Sequence, residues 1–355
     1  MAETGSPLTF DLRVVRTGET YRVRLMDGPW GQSEAEFVPP VGRVDVDDLV
    51  AGSRSLTGFA RDVVGSAAPR LHPAAMAELG LRLFDALFVG PLLDAYRRAI
   101  SGDEVRFRLD LTEAPALVDL PWELLYDGQL DRFVAASNRT PLVRTLRVPP
   151  VPPRPAERPP LRMLVVVSGP TDRPLLDAAT EWGRLTQAAG ALVADGRLAI
   201  HRIDDATPES VRASLGSVRP HVLHYVGHGG YDPDAQQGTL VLEGPNGLGR
   251  SLRAEEFADL VSEAEDLRLV VLNSCEGSRS PMVDPFAGTA QALLGLGVPA
   301  VVGMQFEVSD DAAIGFARGF YGALCGGAPV EDAVAEGRLA MMTEGDGSEW
   351  ATPSS

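Results

Sequence analysis

Cysteine is nearly absent: 355 residues hold two, Cys275 and Cys325. Two thiols in so long a chain are not a disulfide framework, and they fit a reducing cytoplasm. Lysine is missing altogether, so the 32 basic side chains are arginine, set against 49 acidic ones. The net charge of −17 argues against non-specific binding to nucleic acid or to anionic lipid, because both are polyanions. No apolar run of roughly 18 residues or more appears, so no membrane span is expected. Met1-Ala2-Glu3-Thr4-Gly5 has no basic region leading into an apolar stretch, so no secretory signal is expected either. Internal repeats and zinc-ligand spacings are lacking too, and no cofactor is predicted.

What remains is an ordinary globular composition, 45% hydrophobic and 23% charged. Abundant Ala, Gly, Pro and Arg is the compositional habit of a GC-rich bacterial genome. At roughly 100–200 residues per domain, the length suggests two domains. The clearest boundary is Val148 to Pro160, where seven of thirteen residues are proline. Proline has no N–H to donate and a fixed φ, so this stretch reads as an extended connector. The expected organisation is a mixed α/β domain over 1–147, a connector over 148–160 and a second domain over 161–355.

In the first domain, Leu8–Val15 and Tyr21–Met26 alternate apolar and polar residues around Thr17-Gly18-Glu19, a hairpin pattern. Ala74–Ile100 reads as helix with a break at Gly90-Pro91, and Val105–Leu111 as strand. After the connector, predicted strands at Leu161–Val167, Leu198–Ile203, His221–Val226, Leu267–Leu272 and Ala300–Met304 alternate with helices. A short extra strand is predicted at Thr239–Glu243. Thr207 is the expected N-cap of one helix, with Pro208 at its first position. Alternation of this kind implies βαβ units and a mostly parallel sheet with helices on both faces.

Two segments carry the chemistry: His221-Val222-Leu223-His224-Tyr225-Val226-Gly227-His228-Gly229-Gly230 and Leu269-Val270-Val271-Leu272-Asn273-Ser274-Cys275-Glu276-Gly277. In each, an apolar strand ends in a reactive side chain followed by small residues. In open α/β sheets, sites form outside the carboxyl ends of the strands. A thiol needs a base beside it to become a nucleophile at neutral pH, and an imidazole at a neighbouring strand end supplies one. The reading is therefore Cys275 as nucleophile and His228 as general base. The backbone N–H groups of Gly229 and Cys275 are the candidate oxyanion hole. His precedes Cys by 275 − 228 = 47 residues; in caspases the interval is roughly 50. His224 lies on the same strand face as His228. A zinc pair would need a third ligand that the spacing does not offer, so packing or orientation of His228 is the expected role.

The two motifs resemble those of CHAT domains, caspase-like peptidases found mainly in bacteria. The resemblance runs over roughly Leu161 to Pro353 and takes in Asp284-Pro285-Phe286-Ala287-Gly288 and Val298–Phe306. The segments LPWELLYDG and TPLVR of the first half are similar to the region preceding some actinobacterial members. The resemblance implies a caspase-like fold and peptide-bond cleavage by a Cys275–His228 dyad without a third catalytic residue. It also implies a regulated role in a bacterial signalling or defence pathway. Such domains usually continue past a Trp-x-Thr-Pro segment into an apolar strand. Here Trp350-Ala351-Thr352-Pro353 runs into Ser354-Ser355, which predicts a sheet edge short of its last strand.

Asp172, Asp232, Glu276 and Asp310, near strand ends, are candidates for an acidic substrate pocket that would favour a basic residue before the scissile bond. The polar loop Glu276–Asp284 is a candidate gate, with Arg279 a point of self-cleavage. The partners implied are a protein or peptide substrate and an activating protein, with neither nucleic acid nor membrane. The alternative is a non-catalytic interaction module on the same fold.

Overall fold

A computed structural model describes residues 8–26, 28–40, 73–102, 104–118, 120–145, 159–173, 178–232, 237–274, 287–304, 308–344 and 349–354. The chain divides into two compact units: Met1–Arg147 with Val334–Ala351, and Val148–Ala333 with Thr352–Ser355. The predicted connector, Val148 to Pro160, lies outside the described residues except for Pro159 and Pro160.

In the first unit, strands β1 (Leu8–Thr17) and β2 (Thr20–Leu25) form the expected antiparallel hairpin. Gly18 turns it at φ +67°, a conformation that costs a residue without Cβ little. Strand β3 (Ser33–Phe37) extends the sheet beyond β2. Helices α1 (Pro73–Leu87) and α2 (Pro91–Ile100) follow, separated at Gly90 (φ +52°) with Pro91 opening the second. They carry the chain across to β4 (Val105–Glu113), which runs parallel to β1. A small hairpin, β5 (Tyr126–Asp127) with β6 (Arg132–Phe133), precedes β7 (Leu142–Thr145), which closes the order β3-β2-β1-β4-β7. Phe10, Leu12 and Val14 point inward at every second position of β1, and Phe10 packs on Phe107 with ring centroids 5.1 Å apart.

The LPWELLYDG segment is the polar anchor of this unit. The Trp122 indole N–H donates to Leu117 O at 2.8 Å. Glu123 is buried, accepts from Arg144 Nε at 3.2 Å and lies 3.6 Å from the buried guanidinium of Arg338. Burial pushes the Arg338 pKa down to about 10, which still leaves it charged at neutral pH.

The second unit begins with β8 (Leu161–Val167), α3 (Ala178–Ala194), β9 (Leu198–Ile203), α4 (Pro208–Val218) and β10 (Val222–Gly227). Thr207 caps α4 as expected, its Oγ1 accepting from Ser210 N at 3.2 Å. Then come β11 (Gly229–Asp232), β12 (Gln237–Glu243) and β13 (Gly249–Arg253), a three-stranded antiparallel sheet of which the sequence pattern showed only the middle strand. Helix α5 (Ala254–Ser262), β14 (Leu269–Ser274), α6 (Ala287–Gly295), β15 (Ala300–Met304) and α7 (Asp310–Cys325) complete the alternation. Helix α8 (Val330–Glu344) follows, and its residues from Val334 onward, including Arg338, group with the first unit.

The main sheet has the order β16-β15-β14-β10-β8-β9, parallel throughout except for β16 (Pro353–Ser354). That two-residue strand pairs with Gly303 and Met304, at the carboxyl end of β15. Leu164, Val166, Leu223, Tyr225, Val270 and Leu272 face a core shared with Val211 of α4 and with Phe257 and Val261 of α5. Residues of opposite parity, among them His224, Val226 and Val271, line a small cavity with Leu185 of α3 and with Phe316 and Tyr321 of α7. Both faces are thus covered by helices, as expected for parallel strands.

Candidate active site

Strands β10 and β14 are central neighbours, and their register aligns the two motifs. His224 pairs with Val271, Val226 with Asn273, and Gly227 with Ser274. Paired residues of parallel strands project to the same face, and alternate residues along one strand do likewise. His224, Val226, Val271 and Asn273 accordingly share the α3–α7 face. His228 follows Gly227, and Cys275 follows Ser274 in sequence. Cys275 lies outside the described residues, as do Glu276 and the loop to Asp284.

His228, the residue after β10, is buried, at 7% exposure. Its carbonyl accepts from Val241 N at 3.0 Å, which ties the turn to β12. The Tyr225 hydroxyl shares its one proton between that carbonyl, at 3.0 Å, and Val241 O, at 2.7 Å. This requires glycine at 227, since a Cβ there would stand 2.3 Å from the Tyr225 oxygen. Gly229 opens β11 opposite Leu240.

His224 sits deeper on the same strand. Burial pushes its pKa down to about 4, so the ring is neutral at physiological pH. Tyr321 is its partner, with Oη 2.5 Å from Nδ1. Burial drives the Tyr321 pKa well above the usual range, so this hydroxyl keeps its proton and bonds the ring as one neutral group to another, the direction set by the imidazole tautomer. A neutral imidazole engaged in this way is a packed core residue with one satisfied nitrogen.

The predicted pocket residues that are described belong to different elements. Asp172 Oδ1 accepts from Gly249 N at 2.6 Å, fastening the loop after β8 to the start of β13. Asp232 ends β11 in register with Gln237, and Asp310 is the first residue of α7. Glu276 lies outside the described residues.

Sequence reasoning missed a polar cluster on the α3–α7 face. Asn273 Nδ2 donates to Glu181 Oε2 at 3.2 Å, and the other oxygen of Glu181 pairs with Arg184. The available signal was Asn273 two residues before Cys275, hence on the same face of β14. Nothing in the local pattern of α3 singled out Glu181, whose partner lies 92 residues away.

Comparison with known proteins agrees with the motifs. The family model described as CHAT domain matches residues 77–352, a span that begins well before the proline-rich stretch. No curated protein matches the sequence. Among solved structures, two crystal structures of the Saccharomyces cerevisiae separase–securin complex, at 3.0 and 2.6 angstrom resolution, are similar at 13% identity. Their matches cover 87% and 90% of this chain but 22% and 23% of the other, with TM-scores of 0.38 and 0.36. The chain therefore spans less than a quarter of the length of the structures it matches. With motifs and register in place, and a family match over well more than half its residues, the chain belongs to the CHAT domain family.

Proposed function

We propose that the chain is a cysteine endopeptidase with Cys275 as nucleophile and His228 as general base. The observation that carries this reading is the register of β10 with β14. Gly227 and Ser274, which precede His228 and Cys275 in sequence, are paired neighbours at the carboxyl ends of the two strands.

In the reaction, the imidazole takes the Cys275 proton and the thiolate attacks the scissile carbonyl. The tetrahedral oxyanion is met by backbone N–H groups of Gly229 and Cys275. Collapse of the intermediate expels the amine, which takes the proton back from His228, and leaves a thioester. Water, deprotonated by the same imidazole, attacks the thioester and regenerates the thiol. The substrate is a peptide or protein. By family likeness the activity is controlled by a protein activator and serves a bacterial signalling or defence pathway.

The test is incubation of the full chain with a proteome-derived peptide library, with new termini read by mass spectrometry. The expected result is a consistent set of cleavage sites for the wild type and none for Cys275→Ala or His228→Ala. Sites that persist in Cys275→Ala would overturn the assignment.

A further inference from the structure

The turn that presents His228 is held by a side chain from the opposite face of the sheet. Tyr225 packs in the α4–α5 core, with its ring 6.3 Å from that of Phe257. Its hydroxyl passes through the space that glycine leaves at 227 and lies 3.0 Å from the His228 carbonyl and 2.7 Å from that of Val241. Val241 N donates to the same His228 carbonyl at 3.0 Å. Val241 N–H therefore aims that carbonyl at β12, and the single Tyr225 hydroxyl proton, shared between the two carbonyls, reinforces that aim.

The peptide joining His228 to Gly229 is trans, because the described cis bond is elsewhere. In a trans peptide, C=O and the following N–H point in opposite directions. The ladder agrees: a Val241 N to His228 O bond makes Gly229 and Leu240 a non-hydrogen-bonded pair, whose Gly229 N–H points away from β12. The Gly229 N–H is thus turned away from β12 and from the carbonyl that Tyr225 and Val241 hold.

We propose that Tyr225 is a positioning residue for the oxyanion hole: by holding the His228 carbonyl it sets the direction of the Gly229 N–H. This rests on the peptidase reading above. The hydroxyl touches neither substrate nor thiol and acts through one rigid peptide plane.

Tyr225→Phe isolates the effect. It keeps the ring, and both carbonyls retain a donor, Val241 N for His228 and Ser168 Oγ, at 2.7 Å, for Val241. Ser168→Ala is the control, since it removes an equal bond to Val241 O without touching the His228 carbonyl. The probes are a peptide that the wild type cleaves and iodoacetamide, whose reaction with Cys275 needs the thiolate but no oxyanion hole.

The expected result for Tyr225→Phe is a kcat about tenfold lower with KM nearly unchanged. That is less than the ~10²–10³ that deletion of an oxyanion-hole donor costs. Iodoacetamide labelling of Cys275 should match wild type, and Ser168→Ala should keep wild-type kcat. The proposal is overturned by an unchanged kcat in Tyr225→Phe, by an equal loss in Ser168→Ala, or by a parallel loss of iodoacetamide reactivity. A wild type that cleaves no peptide and labels slowly at Cys275 would instead remove the peptidase reading itself, so the two failures are distinguishable.

Discussion

At the amino ends of β10 and β14, His221 is enclosed by partners. Its Nδ1 accepts from Arg162 N at 3.0 Å, its own N–H donates to Arg162 O at 2.8 Å, and its carbonyl accepts from Arg268 N at 2.9 Å. Asp266 is bridged nearby by Arg162 at 3.2 Å and Arg219 at 3.0 Å. At the carboxyl end of β10, the carbonyl of His228 is held by Val241 N and by the Tyr225 hydroxyl. One end binds imidazole nitrogen and charge into the sheet; at the other, the described bonds fix the main chain, with glycine before and after His228. A histidine in this strand is therefore read from the end it occupies, and His224, between them, is a third case, neutral and packed.

Substitution at the two ends separates these roles most sharply. His228→Ala should lower peptide cleavage by about 10²–10⁴-fold, the usual contribution of a general base. His221→Ala should leave kcat near wild type but cost about 1–2 kcal/mol of stability, by stranding the Arg162 amide. Denaturant titration and steady-state kinetics on both variants check the pair. Equal kinetic losses would erase the contrast.

The middle histidine gives the next largest effect. An unfolded His224 takes up its proton near 6.5 and the folded one only near 4. Between those values the unfolded state binds more protons, so stability falls as pH drops from 6.5 toward 4. The penalty is complete below that, at about 3 kcal/mol. In His224→Gln, which keeps an acceptor for Tyr321, this part of the slope should vanish. A stability difference between wild type and variant that stays constant across the window would contradict the assignment.

The smallest effect belongs to Asp266. Burial raises its pKa, but the Arg219 and Arg162 guanidiniums outweigh that and hold it below the usual carboxylate range. Arg219 is largely exposed, so solvent screens the bridge, and Asp266→Asn should cost less than about 1 kcal/mol and be nearly neutral at high salt. A larger, salt-independent loss would mean that the amino-end cluster is a buried network.

Much of this contrast was legible in the sequence, because it rests on strand periodicity. The apolar runs Leu161–Val167 and Ala300–Met304 became strands with those bounds, and His224, Val226 and Asn273 took one face by alternation. Strands β11 and β13 were not legible, since Gly229-Gly230 and Gly249 carry no strand propensity and are held by pairing with β12. Tyr225 read as one more core aromatic, because its role depends on the space that Gly227 leaves. Glu123 and Arg338 gave no local sign of meeting, being far apart in sequence and each ordinary in its own helix or turn.

The central claim is that His228 activates Cys275, and Cys325 offers an internal reference. Burial raises the Cys325 pKa, so that thiol is a poor nucleophile in the same molecule. The direct measurement is the rate of iodoacetamide labelling at each cysteine, at neutral pH, in the folded wild type and in His228→Ala. The account predicts Cys275 labelled at least about tenfold faster than Cys325 in the wild type, with the advantage lost in His228→Ala. Equal labelling of Cys275 with and without His228 would contradict it.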